Sequence, residues 1–142
     1  VVLVKNDLFA DIGMEEENAF TSIYDTNFVN KNQFPYSDGW LVNNGNFIDN
    51  FNYPKAKGVT VNKVSDSKVQ QQQIISHFNP GIETMEGAAV HFVCLQENIQ
   101  FLQVRSISNK VGVRKKQEWG IKEAIENLGE SLAVIIGTIL KN

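Results

Sequence analysis

Short β-branched apolar runs at residues 1–4, 57–64 and 101–107 alternate with segments of helical character, and this alternation constrains the fold more than any other feature of the chain. β-branched side chains lose rotamer freedom in a helix and pack well on a pleated sheet, so the three runs read as strands. Lys5, Asn6 and Asp7 read as polar turn formers that end the first of them. The mixed segment that follows carries Glu15, Glu16 and Glu17, which reads as a solvated face. Residues 25–54 are rich in Asn and punctuated by Pro35, Gly39, Gly45 and Pro54, which predicts mostly loop with short extended or helical pieces.

Residues 68–78 form a candidate helix with Val69, Gln72, Ile74 and Ile75 loosely on one side. Ser65, Asp66 and Ser67 supply a turn or cap before it, and Asn79-Pro80-Gly81 breaks it. Residues 82–84 read as a short extended piece, and 86–97 as a second helix stopped at Asn98. In the last segment Ile121, Ile125, Leu128, Leu132, Ile135 and Ile139 recur at spacings of three and four, which predicts a long helix that buries this stripe against a sheet. The resulting order of elements is α/β. Ligand sites in such sheets gather at the carboxyl ends of strands.

With 142 residues and 42% hydrophobic content, the chain suits one buried core, so residues 1–142 read as a single domain. Its net charge of -3 provides no general basic field for nucleic acid or anionic lipid, and a small-molecule partner is expected. No apolar run approaches the ~20 residues that span a bilayer, and no signal-peptide pattern opens the chain, so a cytoplasmic location is expected. Cys94 lies in an apolar segment and reads as a buried thiol. The chain opens on Val1-Val2-Leu3-Val4 without an initiator Met, which reads as a chain whose earlier part is absent.

Two motifs fall at the predicted strand ends. The first, Glu83-Thr84-Met85-Glu86-Gly87-Ala88-Ala89, puts a carboxylate among small residues where a helix begins. The second, Arg105-Ser106-Ile107-Ser108-Asn109-Lys110, ends an apolar run in a polar turn. Taken singly, Glu86 is a first-turn acid favoured by the helix dipole and Asn109 an ordinary turn residue. Arg105, inside a strand, calls for a carboxylate partner, because an unpaired buried charge is costly. Ser108 reads as a turn cap or a hydrogen-bond partner of Asn109. His77 and His91 have no metal-ligand spacing, and no metal site is expected.

Together the motifs resemble the purine nucleosidase and nucleoside phosphorylase superfamily, in which a Met-Glu dipeptide grips ribose and an Asp or Asn after an Arg-x-Ile-Ser stretch contacts the purine. Asn109-Lys110-Val111-Gly112-Val113-Arg114 and the segment from Trp119 to Leu128 narrow the likeness to the futalosine hydrolase branch, as do Asp7-Leu8-Phe9-Ala10-Asp11-Ile12-Gly13 and Gly58-Val59-Thr60-Val61-Asn62.

The resemblance implies a three-layer α/β sandwich with a mixed central sheet flanked by helices, nucleoside phosphorylase-like and here incomplete at its N-terminus. It further implies hydrolysis of the N-glycosidic bond of futalosine, releasing hypoxanthine and dehypoxanthine futalosine in menaquinone synthesis, by a homodimer without cofactor.

Under that resemblance Glu86 stabilises positive charge on the ribose, with Met85 as an apolar wall and Gly87, Ala88 and Ala89 small enough for the sugar to come close. Asn109 stabilises the departing base, its amide matching a 6-oxopurine at O6 and N7–H, whereas Asp would match a 6-aminopurine. Arg105 and Ser108 support the site, and Val61, Asn62 and Val64 are candidate purine contacts or plain sheet residues. Trp119 either covers the site or packs the last helix onto the core. Lys110, Arg114, Lys115 and Lys116 form a basic patch that is either solvated or draws an acidic substrate group.

The chain departs from the family in its N-terminal half. The early glycine-containing turn and the general acid/base Glu have no counterpart among these residues, so the water-activating carboxylate is expected upstream. Rival readings are a purine nucleoside phosphorylase, a methylthioadenosine/S-adenosylhomocysteine nucleosidase-like enzyme, and a non-catalytic purine-binding module.

Overall fold

The structure is a computed structural model that describes residues 1–17, 19–26 and 28–141. Its centre is β1 (Val2–Asp7), which reaches further than the sequence suggests because Asp7 remains in the sheet and is fully buried. One edge of β1 pairs in parallel with β6 (Lys55–Thr60), which pairs in parallel with β7 (Ile82–Thr84). The other edge is divided. Its C-terminal part pairs antiparallel with β5 (Trp40–Val42), and its N-terminal part pairs antiparallel with β8 (Gln103–Arg105). Beyond β5 lies β4 (Tyr36–Ser37), while β2 (Gly13–Glu16) and β3 (Ala19–Ser22) form a separate antiparallel ribbon. The sheet is therefore mixed, and the three helices among the described residues flank it as an α/β sandwich.

A bulge between Val4 and Asn6 breaks the alternation of β1. A Cβ placed on Gly58 would meet both Val4 and Asp7, so these two side chains share one face of the sheet. Parallel strands need long crossovers, and a helix provides the one between β6 and β7. Helix α1 (Lys68–Phe78) joins β6 to β7 with the predicted bounds. The Ser67 hydroxyl accepts from the Gln70 amide at its start, and Asn79 adopts a left-handed conformation at its end. Helix α2 (Gly87–Gln96) joins β7 to β8, and α3 (Ile121–Ile139) closes the chain. No helix among the described residues is long and apolar enough to cross a membrane.

Two apolar clusters hold the layers together. One joins Leu8, Ala10, Tyr24, Val59 and Val61 to Ile74 and Phe78 of α1; the other joins Leu3, Ile48 and Phe51 to Ile135 of α3. Val69 and Ile75 of α1 are exposed, so that helix packs through a narrower face than its sequence suggests. Cys94, expected in the core, is only half-buried.

The buried face of α3 also differs from the predicted stripe. Ala124 and Ile135 are buried and Leu128 half-buried, whereas Ile121, Ile125, Leu132 and Ile139 are exposed. The helix is amphipathic, but only the side of its apolar stripe that carries Ala124 and Ile135 is covered, and periodicity alone does not show how much of a stripe is buried. Adjacent residues provide the check: Ile135→Ala should lower stability by about 3 kcal/mol, and Ile136→Ala, half exposed, by no more than about 0.5 kcal/mol. Urea denaturation of the two variants would show equal midpoints if α3 were seated differently.

Candidate functional site

A cavity of about 740 Å³ opens beside the C-terminal ends of β7 and β8, between α1 and the loop that runs from Ser106 to Arg114. Six residues singled out in the sequence line it: Val64, Met85, Arg105, Ser108, Asn109 and Trp119. The two motifs, separated by α2 and carried by strands of opposite direction, thus meet in space around one cavity. Lys110 and Arg114 reach the lining as well, while Lys115 pairs with Glu118 on the surface.

Three other residues lie outside the lining. Val61 is buried in the α1-side cluster and does not reach the cavity. Asn62 is held by Asp11, whose carboxylate accepts from both the main-chain and the side-chain N–H of Asn62. Glu86 caps the start of α2 without a side-chain cap bond and leaves 70% of its side chain exposed.

Glu86 reaches the site through Arg105, whose Nη2 lies 3.9 Å from Glu86 Oε2. The strand arginine therefore has the carboxylate partner its position demands, drawn from the other motif. Gly87 and Ala88, however, lie against the sheet. Both are buried, and a Cβ on Gly87 would run into Asp7, Gln103 and Thr84. Gly87 and Ala88 let α2 approach the sheet, while Ala89 is exposed.

At the opposite wall, the Ser108 hydroxyl donates to Asn109 Oδ1 at 2.8 Å, and Asn109 Nδ2 donates to the Lys110 carbonyl at 3.0 Å. A side-chain amide offers two acceptor lone pairs and two N–H groups. One of each stays available on Asn109, in an orientation these local bonds hold. The Trp119 indole donates to the Val113 carbonyl at 2.7 Å, and Gly120 N–H to the Ser108 carbonyl at 2.8 Å, so the loop is tied to the start of α3. Trp119 also borders a smaller recess of about 330 Å³ with Ile121 and Leu128, and thus both faces the cavity and packs the helix. Gly112 adopts φ +87°, and a side chain there would collide with Gln71 of α1.

Several contributors escaped the sequence reading. Glu83 Oε1 accepts from Ser65 N–H at 3.1 Å, fastening the segment after β6 to β7 beside the cavity. Behind the site, Asp7, Thr60, Thr84, His91 and Gln103 are all buried together. Thr84 accepts from Gly87 N–H at 3.2 Å and Thr60 from Ala88 N–H at 2.7 Å, satisfying donors that the first turn of a helix leaves free. An acid at the end of a buried strand was the available signal, but neighbouring Lys5 and Asn6 made it look like a turn.

The sheet order and crossover helices define a nucleoside phosphorylase-like α/β sandwich. The fold matches a crystal structure of the MTA/SAH nucleosidase with a TM-score of 0.67, covering 99% of this chain and 54% of that one at 21% sequence identity. In sequence, the chain is similar to the futalosine hydrolase of Thermus thermophilus, with 29% identity over 134 residues, 92% of this chain and 58% of the relative. The chain therefore spans little more than half the length of the proteins it matches. No protein-family profile matches it.

Proposed function

We propose that this chain forms the base- and sugar-recognising part of a purine nucleosidase that hydrolyses futalosine to hypoxanthine and dehypoxanthine futalosine in menaquinone synthesis. The observation that carries the reading is the meeting of Met85 and Arg105, ion-paired to Glu86, with Ser108 and Asn109 around one cavity. Similarity to a futalosine hydrolase supports the choice of substrate. In this reading the enzyme works in the cytoplasm as a homodimer and needs no cofactor.

Cleavage of an N-glycosidic bond passes through an oxocarbenium-like state, with positive charge on the sugar and electrons flowing into the base. The Glu86 carboxylate hydrogen-bonds the ribose hydroxyls and stabilises that charge, while Arg105 holds the carboxylate in place. Water attacks the anomeric carbon, activated by a carboxylate outside the 142 residues. Asn109 accepts from purine N7–H through its free lone pair and donates to O6 through its free N–H. Val64 borders the base, and Trp119 closes the far side.

Base release from futalosine, inosine and their 6-amino analogues, followed chromatographically with and without phosphate, tests the proposal. Release of hypoxanthine independent of phosphate supports it; phosphate dependence would indicate a phosphorylase, and binding without release a purine-binding module. Asn109→Asp should reduce kcat/KM on the 6-oxo substrate and raise relative activity on the 6-amino one. Hydrogen-bond mismatch at such a position can discriminate by up to ~10⁴-fold, although rotation of the amide brings the expected change nearer to ~10²-fold. An unchanged ratio of specificity constants would mean that Asn109 does not read the base.

A further inference from the structure

Beneath the first turn of α2 a row of polar groups crosses the sheet out of contact with solvent. Asp7 accepts from the Thr60 hydroxyl at Oδ1, 2.9 Å away, and its Oδ2 lies 3.2 Å from Gln103 Nε2. On the far side of Gln103 stands His91, fully buried, with Nδ1 3.1 Å from the Leu41 carbonyl. That carbonyl can only accept, so Nδ1 carries the hydrogen and Nε2 of the neutral ring is an acceptor. The Gln103 side chain interacts with the ring, yet both Gln103 Oε1 and His91 Nε2 are buried without a hydrogen-bond partner. Two acceptors that meet in this way cannot satisfy each other.

We propose that Asp7 is a protonated, uncharged acid in the folded protein, and that the Gln103 amide stands with its carbonyl toward Asp7 and its amino group toward His91. Half a rotation about the last bond of the Gln side chain exchanges its two polar atoms in place, and the hydrogen-bond pattern decides between the orientations. The row then runs in one sense: Thr60 donates to Asp7, Asp7 to Gln103, Gln103 to His91, and His91 to Leu41. Both orphaned acceptors gain donors.

The alternative that also satisfies them places the proton on His91 as a buried imidazolium beside an ionised Asp7. Burial opposes both charges: it is the largest influence on Asp7, raising its pKa, and on His91, lowering its pKa to about 4. Among the groups facing the row, Arg105 from β8 favours an ionised Asp7 but disfavours a charged His91, and Tyr24 interacts with Asp7 from below. A carboxylic acid kept neutral by its surroundings so that it can donate is a known device in protein interiors.

The row joins β1, β6, α2 and β8. Gln103 lies two residues before Arg105, and Asp7 lies against Gly87, next to Glu86. Asp7 is therefore a positioning residue, acting through α2 and β8 on the Glu86–Arg105 pair. That last link rests on the reading of Glu86 given above; the protonation of Asp7 does not.

Asp7→Asn reproduces the donor and acceptor pattern of the acid, with Oδ1 accepting from Thr60 and Nδ2 donating to Gln103. The variant should fold with a denaturation midpoint at or above that of the wild type, while Asp7→Ala lowers it. The infrared difference spectrum between wild type and Asp7→Asn at neutral pH should contain the C=O stretch of a protonated carboxyl. A carboxylate band in its place, or an Asp7→Asn variant that is destabilised or fails to fold, would overturn the proposal. Neither measurement uses a nucleoside, so a protein that releases no purine leaves this result standing.

Discussion

Glu86→Gln is expected to slow base release by about 10²-fold to 10³-fold in kcat while leaving the melting temperature unchanged. The two effects separate because of where the side chain lies. It is 70% exposed, makes no cap bond to α2, and meets Arg105 at 3.9 Å, so the loss of its charge disturbs little of the folded protein. Exposed substitutions of this kind shift stability by about 0.5 kcal/mol or less. The positive charge that builds on the ribose, by contrast, exists only in the transition state. An interaction made there and not in the ground state appears in kcat, and one such electrostatic contact contributes on the order of 10² to 10³ in rate. Steady-state kinetics with a thermal melt on the same preparation makes the test. Wild-type turnover would remove Glu86 from the chemistry, and a rise in KM alone would assign it to uniform binding.

The largest effect on stability is expected one residue later. Gly87→Ala adds a single methyl group, yet that carbon would overlap the Asp7 carboxylate and the Gln103 amide and come within 2.8 Å of Thr84 Oγ1. None of the three can retreat, since each is buried and engaged by its neighbours. Relief therefore requires α2 to lift from the sheet, which breaks the bonds from Gly87 N–H and Ala88 N–H to the two threonines. Overpacking and lost hydrogen bonds together should lower stability by about 4 kcal/mol or more, against the ~5 to 15 kcal/mol by which domains are held folded. The midpoint of urea denaturation reports this directly. An unaltered midpoint would show that α2 sits further from β1 than described.

Elements with local punctuation were legible in the sequence. Ser67 and Asn79 mark both ends of α1, and each performs the capping role its side chain suggests. β7, α2 and α3 also appear where the apolar pattern places them. The strands within residues 36–42 were not legible, because their pairing with β1 depends on partners far away in sequence and not on their own composition. The face of α3 was lost because only one side of its apolar stripe, at Ala124 and Ile135, is covered, and the place of Val61 because it packs in a cluster with Leu8, Tyr24 and Ile74, all distant in sequence. For the site, Met85, Arg105, Ser108, Asn109, Val64 and Trp119 converge on one cavity. The polar row behind them was hidden, since buried Thr, Gln and His look like surface residues until their partners are known.

The divided edge of β1 has a consequence for assembly. This strand precedes every other element described, but the partners on that edge arrive in two instalments, β5 early and β8 only after α2 has been made. Among the described elements, the part of the edge that β8 covers waits longest for its partner, and a bare strand edge is adhesive. Closure over such long sequence separations slows folding. The return of Gln103 to Asp7 then seats the central strand and brings Arg105 to Glu86 in one movement.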